Sequence, residues 1–144
     1  MLTKILSAAH FGLKTIPVEV EVNIATKGFP GFNIIGLPSK AVEEAKERVK
    51  TALVNSDIKF PEAKITVNLA PADIPKEGSN YDLPIAMGIL TALEFVMLPK
   101  ERSYFFGELS LDGTLRHTKG VFLLAVSAKE NKVKNFDEVV RVFL

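Results

Sequence analysis

Three residues in the segment KEGSNYDLP carry side chains that could do chemistry: Lys76, Ser79 and Asp82. A lysine near glycine and a hydroxyl is typical of a loop that binds phosphate. A serine beside a desolvated amine is the pair that Ser/Lys hydrolases use as nucleophile and base. Asp82, just before an apolar run, is also a residue type that caps a helix. The segment therefore has three interpretations: a phosphate loop, a nucleophile turn or a helix start.

The phosphate-loop interpretation fails on spacing. Such a loop needs Gly-x-x-x-x-Gly-Lys-Ser/Thr, because backbone amides must converge on the phosphates while the lysine and the hydroxyl reach the phosphates and magnesium. That string does not occur in the sequence, and neither does Gly-x-Gly-x-x-Gly or Gly-x-Ser-x-Gly. Gly78 stands alone in its segment. We therefore predict that this chain by itself does not hydrolyse a nucleotide.

Metal ligation has little support in the sequence. The chain has no cysteine, which removes disulfides and thiolate-ligated metals. Its two histidines, His10 and His117, have no second histidine at helical or strand spacing, and no paired acidic motif suggests magnesium. We assign no metal, and we expect ordinary polar or packing roles for both histidines.

A short cluster of cations follows a predicted β-turn. Arg116, His117 and Lys119 come after Asp112-Gly113, a dipeptide typical of a tight hairpin turn. Such side chains bind DNA phosphates in a salt-dependent way, although solvated loop residues are the simpler interpretation. No aromatic stacking platform stands beside them. These three residues are the nucleic-acid-binding candidates of the sequence.

Alternating apolar residues predict the strands that must position these side chains. MLTKILSAAHFG and VEVEVNIA read as the first two strands, FNIIG as the antiparallel partner of the second, and KITVNLA as a fourth strand. Between FNIIG and KITVNLA we predict a helix with Ser39 as its N-cap, in which Glu44 and Arg48 can pair on the solvent side. Strands and helices together predict an α+β class.

A second predicted helix begins at Asp82 and is apolar nearly all round through Val96. Such a helix should be central, and Gly88 would allow close backbone approach there. Two further helices are predicted near the end, one around Leu124 and one opened by Asn135, with Glu138 three residues on as in a capping box. The candidate chemistry therefore lies at the start of a buried helix.

Length and composition predict one soluble globular domain, residues 1–144. The chain is 47% hydrophobic and 24% charged with a formal net charge of +1, and 144 residues suffice for one core. The most apolar run, 83–98, is shorter than the roughly 18 residues of a membrane span, and the start lacks a convincing signal-peptide cleavage site. We expect a cytoplasmic protein with no membrane partner.

Three segments closely resemble the N-terminal domain of the ComM/YifB family, bacterial AAA+ ATPases labelled magnesium chelatase-related. They are GLPSKAVEEAKERVKTAL, ITVNLAPADIPKEGSNYDLPIAMGIL and FFGELSLDGTLRHTKG, and the resemblance covers Met1 to about Lys132. More distantly, the same segments resemble the proteolytic domain of Lon and the C-terminal domain of RadA. The resemblance implies a ribosomal-protein-like β-α-β fold, with a mixed sheet packed against helices and a left-handed crossover.

The resemblance to Lon also implies which residues would catalyse. Asn80 stands where Lon has its serine nucleophile, and Phe122 stands where Lon has its lysine. Neither side chain can replace the one it aligns with, so we predict no catalytic residue in this chain. Only a shifted register would bring Ser79 and Lys119 into those roles, and that alternative is a Lon-type Ser/Lys peptidase.

The family resemblance also implies a function and partners. ComM-like proteins follow this domain with a AAA+ module that binds ATP and magnesium, forms rings and is implicated in DNA branch migration during recombination and natural transformation. No such module occurs in this sequence, so we expect an N-terminal fragment or excised domain with no cofactor of its own. The predicted role is a non-catalytic accessory domain that engages DNA or assembles a homo-oligomeric ring. A structural domain of a magnesium chelatase-type subunit is a further alternative.

Overall fold

Two long strands at the start of the chain form an antiparallel hairpin that frames the fold. In the computed structural model, which describes residues 1–130, β1 (Leu2–Phe11) pairs with β2 (Lys14–Ala25). Alternate residues of β2 face the core, which confirms the predicted one-sided strand. The buried positions are Val18, Val20, Val22 and Ile24.

The sheet has four strands in the order β1-β2-β4-β3, where β3 is Gly31–Ile35 and β4 is Lys64–Ala70. β4 lies antiparallel to β2 and parallel to β3, so the sheet is mixed. The predicted antiparallel pairing of FNIIG with β2 is therefore wrong. The longer β4 takes that place, where it pairs along both edges and satisfies more backbone hydrogen-bonding groups than the five-residue β3 could.

Two helices connect the parallel strands β3 and β4. They are α1 (Lys40–Glu43) and α2 (Ala45–Asn55), separated at Glu44, where one continuous helix was predicted. The Ser39 side chain accepts a hydrogen bond from the Val42 amide at 3.3 Å, which confirms the predicted N-cap. The chain thus forms a β-α-β unit with a mixed sheet packed against helices.

The central helix α3 (Asp82–Ala92) is buried along most of its length. Gly88 packs directly on β2, because a Cβ at that position would lie 2.4 Å from the Val22 Cγ2. The Thr3 hydroxyl donates to the Gly88 carbonyl at 2.9 Å on the same side. The predicted close backbone approach at Gly88 is confirmed.

α3 ends four residues earlier than predicted. Glu94 adopts a left-handed φ of 62°, its amide donates to the Thr91 carbonyl, and the Phe95 amide donates to the Leu90 carbonyl. This pattern is a Schellman motif, which satisfies the last carbonyls of a helix and stops it. Phe95 and Val96 therefore lie beyond the helix, and Phe95 is exposed.

A short hairpin and a last helix complete the described chain. β5 (Glu108–Leu109) and β6 (Leu115–Arg116) pair across the Asp112-Gly113 turn, as predicted. Hydrogen bonds from Thr114 lower the pKa of Asp112 in that turn. α4 (Val121–Glu130) confirms the helix around Leu124. The helix predicted from Asn135 lies outside the described residues.

Buried side chains form two hydrophobic clusters. The larger lies between the sheet and α1–α3, and the smaller joins Ala8 to α4. Ala9 belongs to the larger cluster and Ala8 to the smaller, and neighbouring side chains of a strand point to opposite faces. α4 therefore covers the second face of the sheet near the end of β1. Within residues 1–130, no helix combines the length and hydropathy needed to cross a membrane.

Candidate functional site

Residues 77–81 of the segment KEGSNYDLP line a cleft of about 370 Å³, here called the polar cleft. The end of β1, the loop before α3, β5 and the loop before α4 meet there. This brings Ser79 and two of the three predicted cations, His117 and Lys119, to one place. The full lining is Ala9, His10, Glu77, Gly78, Ser79, Asn80, Tyr81, Glu108, His117, Thr118 and Lys119.

Lys76, the lysine of the segment, does not face the cleft. It is fully buried, and its ammonium donates to the carbonyls of Gly36, at 2.9 Å, and Pro71. Its backbone also pairs with the chain around Leu37 and Ser39, so it holds the end of β3 and the start of α1 against the loop. Burial lowers the pKa of the Lys76 amine. This lysine is a structural anchor.

Ser79 lies in the cleft but is already bonded. Its hydroxyl donates to the Glu108 Oε2 at 2.5 Å, and the Arg116 Nε lies 4.0 Å from the Glu108 Oε1. A Ser/Lys hydrolase needs the serine proton directed at an amine. Among the described residues, no hydrogen bond joins Ser79 to Lys119. The serine is therefore part of a polar chain from Ser79 through Glu108 to Arg116.

The two residues that align with the catalytic pair of Lon are placed differently from each other. Asn80 lines the polar cleft, and its side-chain amide donates to the Ala8 carbonyl at 3.4 Å. Phe122 lies on α4, does not line the cleft and is 78% exposed. An amide and an exposed phenyl ring provide neither a nucleophile nor a base.

Two of the predicted nucleic-acid-binding residues line the polar cleft, and the third, Arg116, lies beside Glu108 of that lining. Arg116, His117 and Lys119 are all exposed, and the loop that carries the last two packs against the end of β1. The contact is close at Gly120, where a Cβ would lie 2.5 Å from the His10 Nε2. These three exposed residues, Arg116, His117 and Lys119, are here called the ledge.

The sequence did not predict the buried ion pair beneath the cleft. Arg48 donates to both oxygens of Asp82, from Nε at 2.7 Å and from Nη2 at 3.0 Å, and the Leu109 amide donates to the same carboxylate at 3.1 Å. The predicted capping role of Asp82 is wrong, because the N-cap is Tyr81 and no side chain caps the helix.

The pair joins α2, α3 and β5 below the cleft, and Asp82 is 0% exposed. Burial raises the pKa of the Asp82 carboxyl, and the hydrogen bonds from Arg48 and the Leu109 amide oppose that change. The hydrogen bond to Asp82 raises the pKa of Arg48 in turn. The predicted Glu44–Arg48 pair is present at 3.7 Å, but Arg48 turns inward to Asp82 and is not confined to the solvent side.

Two observations on the described residues bear on nucleotide and metal binding. Lys76, the lysine nearest the isolated Gly78, is buried against carbonyls and out of reach of a phosphate. Across residues 1–130, no group of three histidine, aspartate or glutamate side chains is arranged to hold a metal.

Comparison with known proteins identifies relatives whose sequences match most of this chain. A protein-family model described as "Subunit ChlI of Mg-chelatase" matches residues 20–138. The chain is 44% identical over 133 residues to the uncharacterized protein YifB of Escherichia coli, covering 92% of this chain and 25% of that protein. It is 44% identical over 129 residues to the competence protein ComM of Haemophilus influenzae, covering 89% of this chain and 25% of that protein. The chain thus spans about a quarter of the length of these relatives.

Proposed function

Because this chain belongs to the ComM/YifB family and matches the family model of the ChlI subunit of Mg-chelatase, we propose that it is an accessory domain of a ComM-like AAA+ ATPase. In this proposal the domain catalyses nothing itself. It engages DNA, or helps to assemble the ATPase ring, while a AAA+ module supplies ATP hydrolysis with magnesium. One relative is named a competence protein, which suits a role in recombination or natural transformation.

The fold assignment within this proposal is the Lon-like one. The parallel strands β3 and β4, joined by α1 and α2, supply the β-α-β unit that such a fold requires. We assign to this connection the left-handed crossover that the family resemblance implies.

The observation that carries the DNA-binding role is the exposed ledge of Arg116, His117 and Lys119. His117 and Lys119 line the polar cleft, Arg116 lies beside Glu108, and Gly120, which follows Lys119, packs closely against His10. A preorganised group of cations can bind phosphates without ordering a mobile loop first. Glu108 partly offsets Arg116, so we expect weak binding that depends strongly on salt.

The test is duplex DNA binding measured by fluorescence anisotropy over a range of salt concentrations. In the Arg116→Gln/Lys119→Gln double variant, the slope of log K against log salt should fall by about 1.8 in magnitude, because each lost phosphate contact removes about 0.9. The matched control is Lys100→Gln/Arg102→Gln, an exposed lysine and arginine at a separate cleft.

Equal slopes for the two double variants would contradict DNA binding by the ledge. Ring assembly is measured separately by sedimentation of the chain joined to its AAA+ module. A chain that supports assembly but does not bind duplex would favour the purely structural role of a magnesium chelatase-type subunit.

A further inference from the structure

A second cleft lies at the opposite end of the sheet and is lined by aromatic rings and lysines. This aromatic cleft has a volume of about 550 Å³ and lies between the start of β3, α2 and the segment before β4. The polar cleft lies where β1 ends and β2 begins, whereas this one lies where β2 ends, roughly 35 Å along a twelve-residue strand. Its lining is Pro30, Gly31, Phe32, Lys46, Glu47, Lys50, Phe60, Pro61, Glu62 and Ala63.

The aromatic rings in this cleft and directly next to it in sequence differ in how exposed they are. Phe32 and Phe60 stack on each other with centroids 5.7 Å apart, and the Lys50 Nζ lies 5.6 Å from the centre of the Phe60 ring. Phe29, in the loop just before Pro30, is 94% exposed. Phe29, which directly precedes the cleft residue Pro30 in the chain, therefore has a bare phenyl ring, whereas Phe32 and Phe60 already pack on each other.

Positive charge is concentrated in the segments that frame the aromatic cleft. The three segments that frame the cleft, 26–32, 46–50 and 59–64, carry five lysines and two glutamates besides Arg48, whose charge is matched by Asp82. None of these five lysines forms an ion pair within residues 1–130. An excess of three charges here stands against +1 for the whole chain. The five are Lys27, Lys46, Lys50, Lys59 and Lys64.

We propose that the aromatic cleft binds a single-stranded nucleic acid, with one base stacked on Phe29 and neighbouring phosphates on Lys46 and Lys50. An exposed phenyl ring can stack only on a base whose face is free, which an unpaired strand offers and a duplex does not. The unpaired lysines provide the complementary charge for its backbone. This site goes beyond the proposed duplex contact at Arg116 and Lys119, and neither surface depends on the other.

The stacking contact has a direct optical test, since the chain contains no tryptophan. Phe29→Trp places the only tryptophan directly before the cleft residue Pro30, and base stacking should quench its fluorescence when a 20-nucleotide oligo-dT or oligo-rU is added. The two oligonucleotides distinguish DNA from RNA as the source of the same chemistry. Unchanged emission at an oligonucleotide concentration that saturates binding by anisotropy would overturn the proposal.

Affinity and salt dependence separate stacking from charge. Phe29→Ala should weaken oligo-dT binding about tenfold, or about 1.4 kcal/mol, because one base loses its stacking partner, and should leave the salt slope unchanged. Lys46→Gln/Lys50→Gln should reduce that slope by about 1.4 in magnitude, about 0.7 for each contact to a single strand. Leu13→Ala is the matched control, since Leu13 is 91% exposed in the turn between β1 and β2.

The outcomes distinguish this site from the duplex-binding ledge. Equal affinity of the Phe29→Ala and Leu13→Ala variants for oligo-dT, or no binding of either oligonucleotide by the unmodified chain, would overturn the single-strand site. Loss of duplex binding in the Arg116/Lys119 variant, with oligo-dT binding intact, would leave both surfaces standing. If Phe29 instead packs against a partner protein, neither oligonucleotide will bind to the chain, and that result would overturn the proposal.

Discussion

The polar and aromatic clefts lie at opposite ends of one sheet and differ in how their polar groups are satisfied. In the polar cleft, Ser79 bonds to Glu108, and Glu108 lies beside Arg116. In the aromatic cleft, Lys46 and Lys50 have no ion-pair partner among the described residues. Groups that bind one another hold their geometry without a ligand, whereas unpaired charges are solvated until a ligand of opposite charge arrives.

The two ends of the sheet therefore differ in which polar groups are already bonded and which are free to bind a ligand. A serine whose proton is already held by a carboxylate, above an ion pair whose Asp82 carboxylate is fully buried, belongs to an internally satisfied region. A bare ring among unpaired lysines leaves its interactions available. We therefore expect substitutions of the bonded groups at the polar end, Ser79 and the Arg48–Asp82 pair, to change stability, and substitutions at the aromatic end to change binding.

The largest effect should come from the ion pair beneath the polar cleft. Arg48→Met leaves the Asp82 carboxylate buried without its cation, which should lower the free energy of unfolding by about 3–5 kcal/mol. The loss is large because Asp82 is 0% exposed and keeps only the hydrogen bond from the Leu109 amide. Urea denaturation followed by circular dichroism measures it.

Two variants sharpen this prediction. Glu44→Gln removes the other carboxylate beside Arg48, which is exposed and 3.7 Å away, and should cost no more than about 0.5 kcal/mol. Adding Asp82→Asn to Arg48→Met removes the uncompensated charge and should restore part of the lost stability. If Arg48→Met and Glu44→Gln cost the same, the buried pair does not support the polar cleft.

A smaller effect is expected at Ser79. Ser79→Ala removes the hydrogen bond to Glu108 and should cost about 1 kcal/mol, because Glu108 is only half-buried and water can replace the lost donor. A serine-reactive fluorophosphonate should label the unmodified chain no more than the Ser79→Ala variant. Specific labelling of Ser79, together with peptide cleavage that Lys119→Met abolishes, would instead establish the Ser/Lys peptidase.

The sequence predicted the elements of the fold better than their pairing. Alternation in β2 and β4, the Ser39 cap, the Asp112-Gly113 turn and the approach at Gly88 each depend on residues close in sequence, and the structure confirms them. The predicted position of β3 was wrong. Strand order depends on which strand satisfies the hydrogen-bonding groups along the edge of β2, and no local sequence pattern indicates that. The end of α3 was missed because Glu94 adopts a left-handed conformation that is uncommon outside glycine.

At the site, the sequence located the segment but not its bonding. It brought Ser79 and the later cations into consideration, and the structure places Ser79, His117 and Lys119 around one cleft. The Arg48–Asp82 pair spans 34 residues, so no helical spacing reveals it. The available signal was an acid in the first turn of an otherwise apolar helix, because a buried carboxylate requires a cation or several hydrogen bonds.

The smallest predicted effect compares one lysine from each region, Lys76 buried beside the polar cleft and Lys50 exposed at the aromatic cleft. Burial lowers the pKa of Lys76 below its ordinary value of 10.5. Between its folded pKa and 10.5, the unfolded chain binds more protons at this site than the folded chain, so the penalty of burying the charge disappears as pH rises. The unfolding free energy of the unmodified chain minus that of Lys76→Met should therefore increase as pH rises towards 10.5.

Lys50→Met is the matched control, since it removes the same charge from an exposed position. Urea titrations at pH 8, 9 and 10 give the difference between the unmodified chain and each variant, and the rise with pH should be larger for Lys76→Met. The opposite sign, a difference that shrinks as pH rises, would mean that the carbonyls of Gly36 and Pro71 stabilise the charged amine more than burial penalises it. In that case the anchor at Lys76 would be an ionic one, and the polar end would depend on charge at a second buried point besides Arg48 and Asp82.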